Sequence, residues 1–263
     1  MSDQDSLWIR RFAPAPDIPV QLVCFPHVGG SAAFYVRMAA ALCPKVDVLA
    51  VQYPGRLDRR REPPLESVAE LADQVTTALA AWHDRPLALF GHSLGAVVAF
   101  EVARRLERDG RPPLAMFASA RRAPSRVRPE SAHLLDNDAL IREVRTLGGT
   151  DPRIFDDDEL IALALPVIRA DYRAVETYRY VAGTPLTCPL IVLTGQDDQK
   201  VSLEDARAWA GHTTERCEVV TLPGGHFYLN EQLEAVTAIV VARLCAESAR
   251  RRTRDNVSWK GAT

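Results

Sequence analysis

No pair of cysteines in this chain is spaced as C-x-x-C. The five that occur, Cys24, Cys43, Cys188, Cys217 and Cys245, are odd in number, widely separated and mostly set in apolar runs. That pattern supports neither a zinc site nor a disulfide framework, and fits buried free thiols in a reducing compartment. No apolar run reaches the roughly 18 residues that a membrane span needs. Residues 1–4 are polar and acidic, without the basic and apolar regions of a secretory signal. A cytoplasmic protein with no membrane partner is therefore expected. An excess of either charge is missing as well: 32 Lys and Arg stand against 34 Asp and Glu, a formal net charge of −2. That balance disfavours nucleic acid as a partner. No obvious apolar stripe is left without an assignment, so a monomer is expected.

What is present is ordinary globular material, 263 residues with 47% hydrophobic and 25% charged side chains. It suffices for one large domain. Short apolar runs at 20–25, 46–51, 87–90 and 114–119 alternate with helix-period segments at 32–42, 65–82 and 94–108. Two further strand candidates, 190–194 and 217–222, flank a helical stretch at 203–210, and a last helix fits 231–247. Continuous apolar strands separated by helices read as βαβ units, hence an α/β protein with a mostly parallel sheet covered on both faces. Residues 7–12 suit an antiparallel edge strand. From 124 to about 185 the alternation stops, and helical patterns at 138–147, 157–168 and 170–180 predict a helical lid inserted in the core. Residues 249–263, with Arg250, Arg251 and Arg252, read as a mobile tail.

Gly91-His92-Ser93-Leu94-Gly95 matches G-x-S-x-G. It follows directly on the run 87–90 and opens the helical segment at 94. A strand-to-helix turn this sharp strains the serine backbone and exposes its hydroxyl at a helix N-terminus, the arrangement of a nucleophile elbow. A serine needs a general base, itself oriented by a carboxylate, and in this architecture the order is serine, acid, histidine. Of six histidines, His226 in Pro223-Gly224-Gly225-His226-Phe227 follows the last strand candidate, where a loop would deliver a base to Ser93. The acid is expected after the strand at 190–194, in Gly195-Gln196-Asp197-Asp198. Neighbouring aspartates point in different directions, so one of the two orients His226. Asp198 is taken for that role, a choice resting partly on the resemblance below, with Asp197 as a turn or helix cap. The oxyanion of a tetrahedral intermediate needs backbone donors. Leu94 supplies one amide, and the glycine-rich stretch Phe25-Pro26-His27-Val28-Gly29-Gly30 offers Val28 for the other, with His27 bracing the loop.

These residues resemble the type II thioesterases of polyketide and nonribosomal peptide synthesis, α/β-hydrolase-fold relatives of the thioesterase that releases medium-chain acids from fatty-acid synthase. The resemblance spans about residues 22–244. It is carried by the motifs above together with Gln52-Tyr53-Pro54-Gly55-Arg56, Arg60, Glu62, Leu147-Gly148-Gly149-Thr150, Leu165-Pro166 and Arg169-Ala170-Asp171-Tyr172, and it continues through Gly224 to Leu229. It implies Asp198 as the acid, and Val28 and Leu94 as the oxyanion donors. Val28 replaces a usual alanine and Leu94 a frequent methionine, and both act through backbone amides. The family hydrolyses aberrant acyl groups from the phosphopantetheine arms of acyl or peptidyl carrier proteins, without a cofactor or metal of its own. The lid would then enclose an apolar acyl chamber, with Tyr172, Tyr178 and Tyr180 as candidate lining. Arg59, Arg60 and Arg61 read either as a solvated loop face or as a greeting surface for an acidic carrier protein. Two rival functions are a carboxylesterase or lipase acting on oxygen esters, and a catalytically dead binding protein.

Overall fold

The computed structural model describes residues 7–82, 84–149 and 156–260, apart from the side chains of 254–260. Its centre is a seven-stranded sheet: β1 (Ile9–Arg10), β2 (Gln21–Phe25), β3 (Asp47–Val51), β4 (Leu87–His92), β5 (Met116–Ser119), β6 (Leu190–Gly195) and β7 (Cys217–Leu222). They lie in the order β1-β3-β2-β4-β5-β6-β7. Only β1 runs antiparallel, Ile9 facing Val51, as expected for the edge strand.

Side-chain alternation along β2 shows why helices cover both faces. Val23 and Phe25 join a core cluster with α2 (Val68–Ala78) and α3 (Leu94–Arg108). Leu22 and Cys24 join a second cluster with α1 (Val36–Leu42) and the last helix. Burial on both sides is what the unbroken apolar runs require.

Helices α4 (Asn137–Leu147) and α5 (Asp158–Thr177) form the insertion between β5 and β6. Asp136 caps α4 by accepting from the Ala139 amide at 2.8 Å, and Asp157 caps α5 through the Glu159 and Leu160 amides at 2.9 and 3.1 Å. The two helices expected at 157–168 and 170–180 are one, with Pro166 inside it. Proline removes one ladder hydrogen bond, and burial of Leu165, Ile168 and Tyr172 against Leu140 and Val144 of α4 holds the turns on either side.

After β6 come α6 (Leu203–Arg207) and, past β7, α7 (Leu233–Lys260). The segment expected as a tail from 249 continues α7 through Lys260; residues 261–263 lie outside the described residues. All five cysteines are free, Cys24 and Cys188 buried, and Cys43 and Cys245 exposed rather than buried. No described helix is long and apolar enough to cross a membrane.

Strand order places the site. From β2 the chain moves to β3 on one side, and β4 lies on the other. Loops leaving β2 and β4 therefore diverge, opening a crevice at the carboxyl ends of the strands.

Candidate active site

Ser93 alone makes the turn from β4 to α3, with φ +55° and ψ −116°. A positive φ is costly for a residue with a Cβ, and the surroundings enforce it. The Ser93 amide donates to the Ser119 carbonyl at 2.8 Å. A Cβ on Gly91 would lie 2.2 Å from the Gly95 carbonyl oxygen, and one on Gly95 would lie 2.0 Å from that of Phe25. Both glycines are thus needed for close backbone approach.

The Ser93 Oγ lies 3.1 Å from His226 Nε2, and His226 Nδ1 lies 2.9 Å from Asp198 Oδ2. With Nδ1–H donating to the carboxylate, Nε2 is left as an acceptor for the serine hydroxyl. The other oxygen of Asp198 accepts from the Lys200 amide at 2.8 Å. Asp198 is enclosed while Asp197 is exposed, its amide donating to the Gly224 carbonyl at 2.9 Å. The structure therefore brings Ser93, His226 and Asp198 into one line and leaves Asp197 out of it.

Val28 lies in the loop three residues past β2 and Leu94 opens α3, and neither amide has a hydrogen-bond partner among the described residues. The loop that carries Val28 is fixed from beyond itself. Asp171 of α5 accepts from the Gly29 amide at 2.8 Å and pairs with the buried Arg56 guanidinium. Arg56 also donates to the Gly30 carbonyl at 3.1 Å and to that of Pro54 at 2.7 Å. Burial holds the Asp171 carboxyl above the ordinary aspartate range even beside Arg56. Sequence reasoning gave neither residue a role. The available signal was a charge set among Val167, Ile168, Ala170, Ala174 and Val175, all on the buried side of α5.

The other histidines take supporting places. His27 is buried edge-on against Phe34 and Phe227, at 4.5 and 4.8 Å between ring centres, and its carbonyl accepts from the Gly30 amide at 2.9 Å. Burial, with His226 nearby, lowers its pKa to about 3, so it braces the loop as a neutral ring. His92 Nδ1 bonds to the Ser119 hydroxyl at 2.8 Å, and that hydroxyl bonds to the Tyr228 hydroxyl at 2.6 Å. His133 pairs with Glu176, and His212 bonds to Ser125. His83 lies outside the described residues.

A cavity of about 310 Å³ opens over Ser93 and His226. Of the three tyrosines expected around it, Tyr172 alone lines it. Tyr178 donates to Glu101 at 2.9 Å, and Tyr180 packs on Phe100 and His212. Arg121, Glu130, Glu143 and Lys200 stand in the same wall, so the chamber is more polar than the apolar one expected. The run Arg59 to Arg61 is likewise not one surface. Arg59 is buried over the Trp8 ring, 4.3 Å away, and paired with Glu62, while Arg60 and Arg61 are exposed. No cluster among the described residues is arranged to hold a metal ion.

Residues 20–244 match the thioesterase domain family. Thioesterase PikA5 of Streptomyces venezuelae is 51% identical over 228 residues, covering 86% of this chain and 81% of the relative. Among solved structures, the type II thioesterase BorB from the borrelidin biosynthetic cluster superposes with a TM-score of 0.86 at 52% identity, covering 93% of this chain and 99% of BorB. YbtT, a type II thioesterase of the yersiniabactin pathway, does so with 0.84 at 31% identity, covering 91% and 99%. A match of this length, on the same α/β-hydrolase sheet, settles the relationship: the chain belongs to the thioesterase family.

Proposed function

We propose that this chain is a type II, editing thioesterase that hydrolyses aberrant acyl groups from the phosphopantetheine thiol of acyl or peptidyl carrier proteins. The hydrogen-bonded line Ser93–His226–Asp198 beneath a cavity, in a chain of this family, carries the reading. His226 Nε2 takes the Ser93 proton as Oγ attacks the thioester carbonyl carbon, and Asp198 holds the imidazolium that forms. The Val28 and Leu94 amides stabilise the oxyanion. The intermediate collapses, the C–S bond breaks, and His226 returns the proton to the departing thiolate. Water then gives a proton to His226 and attacks the acyl-enzyme, releasing the free acid and restoring Ser93. None of these steps needs a cofactor. The helical insertion at 124–185 serves as the lid of a single domain, and the enzyme works as a cytoplasmic monomer.

Hydrolysis of an acyl-carrier protein by the purified wild type and by Ser93→Ala tests this. The variant should lose about 10⁴-fold or more in turnover. Near wild-type activity in Ser93→Ala would exclude Ser93 as nucleophile. A preference for a p-nitrophenyl ester over the acyl-carrier protein at matched chain length would make the protein an esterase. Failure to react with a fluorophosphonate would make it a binding scaffold.

A further inference from the structure

Among the described residues, none forms a hydrogen bond or ion pair with the side chain of Arg121, a cation in the cavity wall. It sits two residues beyond β5, on a backbone fixed from both sides. The Ala120 amide donates to the Leu193 carbonyl at 2.9 Å, and Trp209 Nε1 donates to the Arg121 carbonyl at 2.8 Å. Ala120 itself is held at φ +50°, a conformation that persists for a non-glycine residue only where the surroundings enforce it. The side chain is thus delivered to the cavity from a rigid strand end.

Its neighbours are all engaged. Glu130 pairs with Arg122, and Glu143 pairs with Lys200 at 2.6 Å. Glu176 pairs with His133 and accepts from the Ala132 and His133 amides at 2.8 and 3.1 Å. Glu130 and Glu176 lie near enough to favour the charged form of Arg121, yet neither hydrogen-bonds to it. The Arg121 Nε is buried and has no hydrogen-bond partner among the described residues. Burial, with Arg122 alongside, brings the guanidinium down to about 10, still cationic at neutral pH.

A guanidinium carries five N–H donors and no acceptor, and its planar fork matches the paired oxygens of a carboxylate or phosphate. Arg121 is half-buried in the cavity wall, with its Nε enclosed, so its fork is partly stripped of water and open to an anion entering the cavity. We infer that Arg121 is an anion subsite beside the nucleophile, binding a negatively charged oxygen group of the substrate: a carboxylate on the acyl chain or the phosphate of the pantetheine arm. This rests on the thioesterase reading and extends it to what the chamber selects.

Butyryl and succinyl thioesters, each on N-acetylcysteamine and on 4′-phosphopantetheine, separate the two sources. The wild type, Arg121→Gln and Arg121→Lys are compared by kcat/KM, with thermal melts and fluorophosphonate labelling of Ser93 as the check on folding. If the acyl carboxylate is bound, the succinyl-to-butyryl ratio falls about tenfold or more in Arg121→Gln on both thiols. If the phosphate is bound, the phosphopantetheine-to-N-acetylcysteamine ratio falls instead, for both acyl groups. In either case Arg121→Lys recovers part of the loss, because it keeps the charge without the fork. Both ratios staying within about threefold of the wild type would overturn the subsite and leave the thioesterase reading standing. Wild-type protein that hydrolyses none of the four would overturn both.

Discussion

The carboxylate of Asp171 accepts the Gly29 amide at 2.8 Å, so the middle of α5 is hydrogen-bonded to the residue beside Val28. The same carboxylate pairs with buried Arg56, which holds the Gly30 carbonyl. The inserted helix and the proposed oxyanion loop thus form one bonded unit. Asp171→Asn should lower kcat by about tenfold to hundredfold with little change in KM, short of the loss expected for deleting an oxyanion donor outright. It should also cost about 3–5 kcal/mol of stability, since Arg56 is left buried and unpaired. The double replacement Arg56→Met with Asp171→Leu removes that stranded charge. Denaturant unfolding should show stability largely recovered, while steady-state kinetics should show turnover still low. Recovery of both together would mean that the pair only holds the fold.

Adjacent aspartates with opposite surroundings make a sharper comparison. Asp198 is enclosed and bonded to His226, while Asp197 is exposed. Asp198→Asn should reduce kcat by about 10⁴-fold, because the imidazole loses its orienting charge and preferred tautomer. Asp197→Asn should stay within about twofold, as an exposed carboxylate bonded to neither Ser93 nor His226 contributes nothing to the proton transfer. A large loss in Asp197→Asn would reassign the acid.

What was legible in the sequence follows from range. The elbow is local: Gly91 to Gly95 between an apolar run and an amphipathic helix specifies its own turn, and the structure places Ser93 there at positive φ. Strands read well because burial on both faces leaves unbroken apolar runs such as 21–25. Helix α5 read less well: the expected segments 157–168 and 170–180 part at Arg169, yet the buried side that carries Leu165, Ile168 and Tyr172 runs on across that point against α4. The Arg56–Asp171 pair was invisible, since it joins positions 115 residues apart. Arg121 was equally hidden, because a motif does not reveal which of two neighbouring arginines finds a carboxylate.

Close backbone approach at the elbow leads to a prediction about folding. A Cβ on Gly95 would meet the Phe25 carbonyl oxygen at 2.0 Å, and both groups belong to backbone held on opposite sides of the β2–β4 crevice. A flexible side chain would swing aside, whereas Phe25 is locked in the ladder between β2 and β4 and Gly95 lies in the first turn of α3. Gly95→Ala should therefore destabilise the protein by about 3 kcal/mol or more, beyond ordinary overpacking, and read as a large fall in melting temperature or as insoluble expression. Gly110→Ala is the contrast. It has no atom within 4 Å of the added Cβ but sits at φ +72°, so only a strain of about 1–2 kcal/mol is expected there.

Buried histidines, His27 and His92 among them, weaken the fold in acid. In an unfolded chain both titrate near 6.5. In the fold, burial and then the charge of His226 lower His27 to about 3, and burial with His226 and His27 alongside lowers His92 as well. A base whose folded pKa is depressed binds its proton more readily in the unfolded state. Its contribution to stability is thus complete above about 6.5 and is lost as pH falls toward the folded value, about 3 for His27, at up to about 1.4 kcal/mol per pH unit. Going from about pH 7 to about pH 5, His27 should remove about 2 kcal/mol of unfolding free energy, and His92 adds a loss of the same sign. His27→Gln lacks one of these titrations. Although the variant is weaker overall, having lost packing against Phe34 and Phe227, its pH-dependent loss should be smaller than that of the wild type by about 2 kcal/mol. Urea unfolding of both proteins at the two pH values reads this difference directly. Equal losses would mean that His27 is protonated in the native state, and the loop between β2 and α1 would then need an anion that none of its neighbours provides.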